Sequence, residues 1–508
     1  MNTISKTLLL FIGIYWLGST QLYASNDGRA IVTGKFTDSL LDEHSNIYDI
    51  IKLSVPNVVL GSIISYQKNV ESDGTFIIEI PIVSSAYATV SIGSEEYKGQ
   101  VLLSPGDTTL FDLFLDKTGK LNLKMIDGIE LTPEDIANFG IGTRIIREVA
   151  VDGRNVPNYQ LPLTPKAYAD SSLMRMKKDL AVIDGDSMLT ENSKKLLYNF
   201  FYPFYLYGFF DYEDKQRMLF AIEKREQKND KKEAFIPQKP DKAYYDFLQY
   251  FDLNHPSQLN EMYYAINLRT ILLRSELNIP RIGDTAIANW IKDVKVILSG
   301  LTKINSGLFY DILAAEAYII QLNRLNPLSE RQKENIRTYF SNPSFSDILF
   351  LKNKDTIIRL KQIEKNKQLN LVINEMPSVA KEKLMDTILS KYKGKTIVVD
   401  FWATWCSPCM EAINEIHPLK QEFENKNIVF VYITDSSSSK ELWDKIIQEI
   451  GGEQYYLTKD ELEYVANKFD FNGFPTYLLF NSNGILKNKI SNYPGNEKMR
   501  EMIEKLLP

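Results

Sequence analysis

The chain has 508 residues, 44% of them hydrophobic, a formal net charge of −6 and two cysteines. That length exceeds what one hydrophobic core usually holds and predicts several domains. The acidic balance, with no long basic block, argues against nucleic acid as a partner.

The first residues place Lys6 ahead of the apolar run Leu8 to Leu17, followed by Gly18-Ser19-Thr20. This pattern predicts a cleavable signal peptide over residues 1–24, cut after Ala24; an uncleaved membrane anchor is the alternative. No cysteine lies near that point to accept a lipid.

Residues 25–125 carry short strand signals at Ile31 to Phe36, Thr75 to Ile80, Tyr87 to Ile92 and Thr109 to Leu113. Turn residues separate them, notably Asp73-Gly74 and Ser104-Pro105-Gly106-Asp107. Strands at this spacing predict a β-sandwich-like module, structural or interacting in role, since it holds no catalytic cluster.

Residues 126–370 read as an all-α domain. Thr132-Pro133-Glu134-Asp135 has the composition of a helix start, and Ser329 to Gln332 has capping-box spacing after Asn326-Pro327. Apolar residues recur at helical spacing through Phe309, Ile312, Leu313, Ala317 and Ile320, and a further helical stretch covers Ile357 to Leu371. The Phe- and Tyr-rich run Tyr198 to Tyr212 is read as helix packing, with a partner groove as the alternative. The charged run Glu223 to Glu233 reads as a solvated surface.

Residues 371–508 alternate strand and helix. A helix over Ala380 to Tyr392 leads to a buried strand from Thr396 to Val399. Then comes Asp400-Phe401-Trp402-Ala403-Thr404-Trp405-Cys406-Ser407-Pro408-Cys409, and a long helix is expected after Cys409. Ile428 to Ile433 is another strand, Ser438 to Glu441 a capping signal for a helix through Ile450, and Thr476 to Phe480 and Ile485 to Ile490 a hairpin through Asn483-Gly484. A helix over Lys498 to Leu507 closes the chain. Cys406 falls where a helix begins, and there the unpaired N–H groups and the dipole favour a thiolate. Two thiols at this spacing form a reversible two-electron switch, because the second resolves the mixed disulfide made by the first. A zinc site would need further ligands; no other cysteine and no His-x-x-x-His pair supplies them, and no cofactor is implied.

The run Asp400 to Cys409 resembles the active-site segment of the thioredoxin superfamily. With the signal peptide, it points to the extracytoplasmic TlpA/ResA-like branch. Gly473-Phe474-Pro475-Thr476 resembles the loop that faces the CxxC in that fold, which implies a cis bond before Pro475. The resemblance covers the last quarter of the chain and implies a C-terminal α/β thioredoxin-like fold there; with the strand and helix patterns that precede it, the chain is expected to be multidomain, an N-terminal β-sandwich and a central all-α region coming first. Residues 25–125 also resemble, in layout and in the Ser-Pro-Gly-Asp turn, the DUF4369-type or Ig-like modules that precede thioredoxin domains in Bacteroidetes proteins.

The resemblance implies Cys406 as nucleophile, Cys409 as resolving thiol and Asp400 as proton acceptor, with a carboxyl at a strand end as the plain alternative. Trp405, Phe474 and Pro475 are the substrate-binding candidates, and Trp402 is expected in the core. Pro408 leans towards reduction, and Ser407 is a candidate hydroxyl donor to the thiolate. Two departures stand out. The strand Ile428 to Ile433 holds no lysine to face Asp400, and Ala412 stands where the branch carries an acid, with Glu411 turned away. His44, His255 and His417 have no companions that suggest a Cys-His hydrolase. The function expected is an extracytoplasmic thiol–disulfide oxidoreductase that reduces disulfides in exported proteins and is recharged by a membrane electron carrier. The alternative is a partner-binding or scaffolding protein with a redox-responsive appendage. A peroxiredoxin lacks support, because no Thr-x-x-Cys pattern is present.

Overall fold

The computed structural model describes residues 28–36, 50–92, 95–115, 121–127, 163–187, 189–226, 237–255, 262–368 and 370–507. The signal-peptide reading, the helix start at Thr132, His44 and part of the charged run Glu223 to Glu233 lie outside them. The described residues form two compact units, the second made of 321–327 and 353–507.

The first unit begins with eight strands. They are β1 (Arg29–Phe36), β2 (Ile50–Asn57), β3 (Ser62–Asn69), β4 (Thr75–Pro81), β5 (Ala86–Ile92), β6 (Glu95–Leu103), β7 (Thr108–Leu115) and β8 (Leu121–Asp127). They make two four-stranded sheets, in the orders β4-β1-β7-β8 and β3-β2-β5-β6. Side chains alternate across a strand, so β1 turns Ala30, Val32 and Phe36 inward; these join Phe76, Phe111, Leu53, Val90 and Leu103 in one apolar cluster fed by both sheets. The four strands expected from the sequence are present; β2, β3, β6 and β8 are additional. Asp73-Gly74 and Ser104 to Asp107 are turns, with Gly74 and Gly106 at φ of 81° and 82°.

Helices follow: α1 (Pro165–Gly185), α2 (Glu191–Phe210), α3 (Tyr212–Glu226), a 3-10 helix (Lys242–Tyr250), α4 (Met262–Leu273), α5 (Ile287–Thr302), α6 (Leu308–Asn323), α7 (Glu330–Tyr339) and α8 (Pro343–Lys365). The aromatic run lies in α2, where Phe201, Leu206, Phe209 and Phe210 are buried and Phe209 stacks on Phe247 of the 3-10 helix at 4.5 Å. These residues pack as expected, while Phe204 and Tyr207 of the same run are exposed. Ser329 and Gln332 form the capping box of α7. The last helix corrects the sequence reading: it starts at Pro343, where Asn342 Oδ1 accepts the N–H of Ser344, and stops at Lys365 instead of reaching Leu371.

The second unit has β9 (Val372–Ile373), α9 (Lys381–Ser390), β10 (Thr396–Phe401), α10 (Ser407–Glu415), α11 (His417–Glu422), β11 (Ile428–Asp435), α12 (Lys440–Ile450), β12 (Glu453–Leu457), α13 (Lys459–Phe469), β13 (Thr476–Phe480), β14 (Leu486–Ser491) and α14 (Asn496–Glu504). Its sheet has the order β14-β13-β10-β11-β12-β9, and every residue of β10 is buried. One face of β10 packs Ile397, Val399 and Phe401 against Leu384, Met385 and Ile388 of α9 and Leu462 and Val465 of α13. The other face turns Val398 towards Leu419, Met499 and Ile503. The single long helix expected after Cys409 is instead two helices, α10 and α11, parted before Pro418, whose missing N–H cannot continue the ladder. The elements β9, β12 and α13 were not singled out in the sequence.

Candidate functional site at the end of strand β10

Strand β10 ends at Phe401, and the N–H of the buried Trp402 that follows still donates to Ile433 O of β11. The next residues turn sharply: Cys406 N–H donates to Ala403 O, and α10 begins. Cys406 is the N-cap of α10, and its sulfur accepts the backbone N–H of Cys409 at 3.2 Å. The cap position is where helices leave N–H groups unsatisfied, so the protein directs a donor and the helix dipole at this sulfur. The two sulfurs are bonded in the structure, and among the described residues there is no other cysteine. Both residues are buried, Cys406 at 5% exposure slightly less completely than Cys409 at 1%.

Around this turn the sequence candidates assemble. Trp402 is fully buried and packs with both cysteines, Tyr432 and Trp443. Trp405 is 62% exposed, its ring 5.7 Å from that of Phe474. Phe474 also packs on the cysteine cluster, and the Phe474–Pro475 bond is cis. Ser407 departs from expectation. Its hydroxyl lies 3.3 Å from Glu411 Oε1 and donates there, one turn along the helix, rather than to a sulfur. The capping signal at Ser438 is corrected too. Ser439 is the N-cap of α12, without a side-chain cap bond, while Ser438 Oγ accepts the N–H of Thr404 at 3.0 Å and so holds the turn before the cysteines.

Asp400 sits beneath. Its register partners are Tyr432 in β11 and Tyr477 in β13, so the carboxyl is walled by two aromatic residues. Burial pushes it up to about 8, against a hydrogen-bonding Tyr477 and the positive charge of Lys420, both of which hold it down. One carboxyl oxygen, Oδ1, has no hydrogen-bond partner among the described residues.

Lys420 changes the sequence reading. The strand facing Asp400 holds no lysine, as noted, yet a cation reaches the acid from α11. Lys420 Nζ lies 4.9 Å from the Tyr432 ring centroid and donates to Ile450 O. Burial drives the ammonium down to about 8, and the charge of Asp400 opposes that fall. A signal was available. Cys409, Ala412, Ile413 and Ile416 form a buried stripe at helical spacing, and Lys420 lies on its continuation.

Other residues stay apart. Ala412 is buried beneath α10 and Glu411 is exposed. His417 meets Gln368 at 3.3 Å. Among the described residues, no group of three or more His, Cys, Asp or Glu side chains is placed to hold a metal ion.

Comparison with known proteins adds the family: residues 394–486 match the thioredoxin-like family model. The chain belongs to the thioredoxin-like family through its C-terminal domain. An uncharacterized protein of Haemophilus influenzae is 32% identical over 120 residues, which are 23% of this chain and 77% of that protein. Thiol-disulfide oxidoreductase ResA of Geobacillus thermodenitrificans is 28% identical over 123 residues, 24% of this chain and 68% of its own length. Among solved structures, the thioredoxin domain of a thiol-disulfide oxidoreductase from Bacteroides vulgatus is 25% identical, over 24% of this chain and 84% of that one, at a TM-score of 0.22. The family match thus lies in the C-terminal part of the chain.

Proposed function

We propose that the protein is an extracytoplasmic thiol–disulfide oxidoreductase that reduces disulfides of other exported proteins. The observation that carries the reading is Cys406 as the cap of α10 with a backbone N–H aimed at its sulfur, since a donor there stabilises the thiolate that starts the exchange. In the reduced protein, the Cys406 thiolate attacks one sulfur of a substrate disulfide; a Cys406–substrate disulfide forms and the first substrate thiolate leaves. Cys409 then loses its thiol proton to the ionised Asp400 and attacks Cys406 Sγ. The Cys406–Cys409 disulfide forms and the second substrate thiolate leaves, so the substrate gains two electrons and the protein loses two. Only the ionised fraction of a carboxyl held near 8 can take that proton, roughly a tenth of it at pH 7, and that fraction grows as pH rises.

Export rests on the sequence of residues 1–24, and among the described residues no helix is long and apolar enough to cross a membrane. A membrane electron carrier is the reductant this reading requires, and disulfide-containing exported proteins are its substrates. The two N-terminal sheets, with their shared core, are read as a β-sandwich that carries no redox chemistry. The test is Cys409→Ser, which removes the resolving thiol. The variant should accumulate mixed disulfides through Cys406, visible by non-reducing electrophoresis and mass spectrometry; no adduct with any protein disulfide would overturn the reading.

A further inference from the structure

An exposed ring on a turn has no reason to keep one orientation unless something holds it, and Trp405 is held twice. Its ring lies 5.7 Å from that of Phe474 at an interplanar angle of 59°. Its Nε1–H donates to Ser437 Oγ at 3.0 Å, in the loop between β11 and α12. An indole N–H only donates, whereas a hydroxyl has one proton to give and two lone pairs to receive. Ser437 gives its proton to Asp435 Oδ1, and the same oxygen accepts the backbone N–H of Ser437 at 3.2 Å. That leaves the hydroxyl lone pairs for the indole. Asp435, at the end of β11, is itself buried.

The loop is fixed on the other side of Ser437 as well. Ser438 Oγ accepts the N–H of Thr404 and lies 2.7 Å from Thr434 Oγ1, and the Tyr456 hydroxyl donates to Ser438 O. Two successive residues of the turn before the cysteines, Thr404 and Trp405, are therefore bound to two successive serines.

We propose that Ser437 is a positioning residue for polypeptide substrates. Through the Asp435–Ser437–Trp405 chain it holds the indole against Phe474, so that ring and loop form one continuous apolar wall beside Cys406. The inference rests on disulfide exchange at Cys406 and names the class of substrate that site prefers. A disulfide flanked by extended polypeptide gains from the wall, whereas a small disulfide that reaches only the sulfur does not.

The experiment uses the full chain with dithiothreitol as reductant, and compares insulin as a protein disulfide with oxidised glutathione as a small one. Losing one partly exposed hydrogen bond should raise the KM of Ser437→Ala for insulin about three- to tenfold, well beyond any change in kcat or in the rate with glutathione. Ser437→Thr keeps the hydroxyl and should restore the KM. Combining Ser437→Ala with Trp405→Phe, which removes the N–H together with the pyrrole ring, should cost no more than Trp405→Phe alone. The Trp405 indole N–H, observed by NMR in 15N-labelled protein, should exchange faster in Ser437→Ala. An unchanged insulin KM, an equal loss with both disulfides, or unchanged N–H exchange would overturn the proposal while leaving the oxidoreductase reading intact. Failure of the wild type to reduce either disulfide would instead overturn the oxidoreductase reading and this one with it.

Discussion

Replacing Asp400 with Asn should stabilise the oxidised protein at neutral pH and have the opposite effect near pH 4. An unfolded aspartate ionises near 3.8, whereas the buried carboxyl holds its proton to about 8. Between those values the unfolded state binds fewer protons, so stability falls as pH rises through that window and levels off above it. At about 1.4 kcal/mol per unit, the penalty at pH 7 is about 4 kcal/mol. Asn carries no such penalty, but its buried amide cannot fully pair, at a cost of about 1–3 kcal/mol. The net gain expected at pH 7 is about 2 kcal/mol, and it should shrink and reverse as pH approaches 4. Lys420 bends the curve the other way. Its folded value near 8 lies below the free 10.5, so from 8 to 10.5 the unfolded state binds more protons and stability rises with pH. The pair therefore gives the wild type a stability minimum near pH 8. The assay is urea unfolding of the oxidised chain from pH 4 to 10, followed by the fluorescence of Trp402, Trp405 and Trp443 in a Trp16→Phe, Trp290→Phe background. Parallel pH profiles for Asp400→Asn and the wild type would refute the reasoning.

Further consequences can be checked separately. Lys420→Met removes the charge that holds Asp400 down, so the falling limb should extend beyond pH 8 and the rising limb vanish in the same unfolding series. In the reduced chain, iodoacetamide should label Cys406 well before Cys409, as the exposure order and the helix cap require; peptide mass spectrometry reads the order, and equal labelling would count against the assignment. Gly34→Ala should destabilise the N-terminal sheets, because its Cβ would stand 2.0 Å from Phe111 O and 2.7 Å from Phe76 Cζ. Overpacking of this kind costs about 3 kcal/mol, seen as a lower urea midpoint for the first unit.

What was legible in the sequence was mostly local. The cysteine spacing, the apolar strand before it and the Gly-Phe-Pro-Thr loop each show in a few consecutive residues. Helix α7 was legible because a capping box is written in four positions. The residues missed owe their roles to distant partners. Lys420 serves Asp400 from another element, and a search confined to the neighbouring strand passes it by. Ser438 has the spacing of a helix cap, but its hydroxyl is claimed by Thr404 and Thr434, a choice made by tertiary contact. Strand β12 is only five residues, Glu453–Leu457, and its Glu and Gln obscure the apolar pattern. Strand β3 is mostly exposed, so no buried face marks it.

One feature of the helix cap reaches beyond catalysis. The atom that ends α10 is also the atom that changes oxidation state. A thiolate accepts an N–H more strongly than a neutral sulfur does, so reducing the protein should tighten the first turn of its own helix. Helix stability and redox poise at Cys406 are then two measures of a single free energy. A substitution that firms or frays that turn, even one that touches neither sulfur, will shift the balance between dithiol and disulfide.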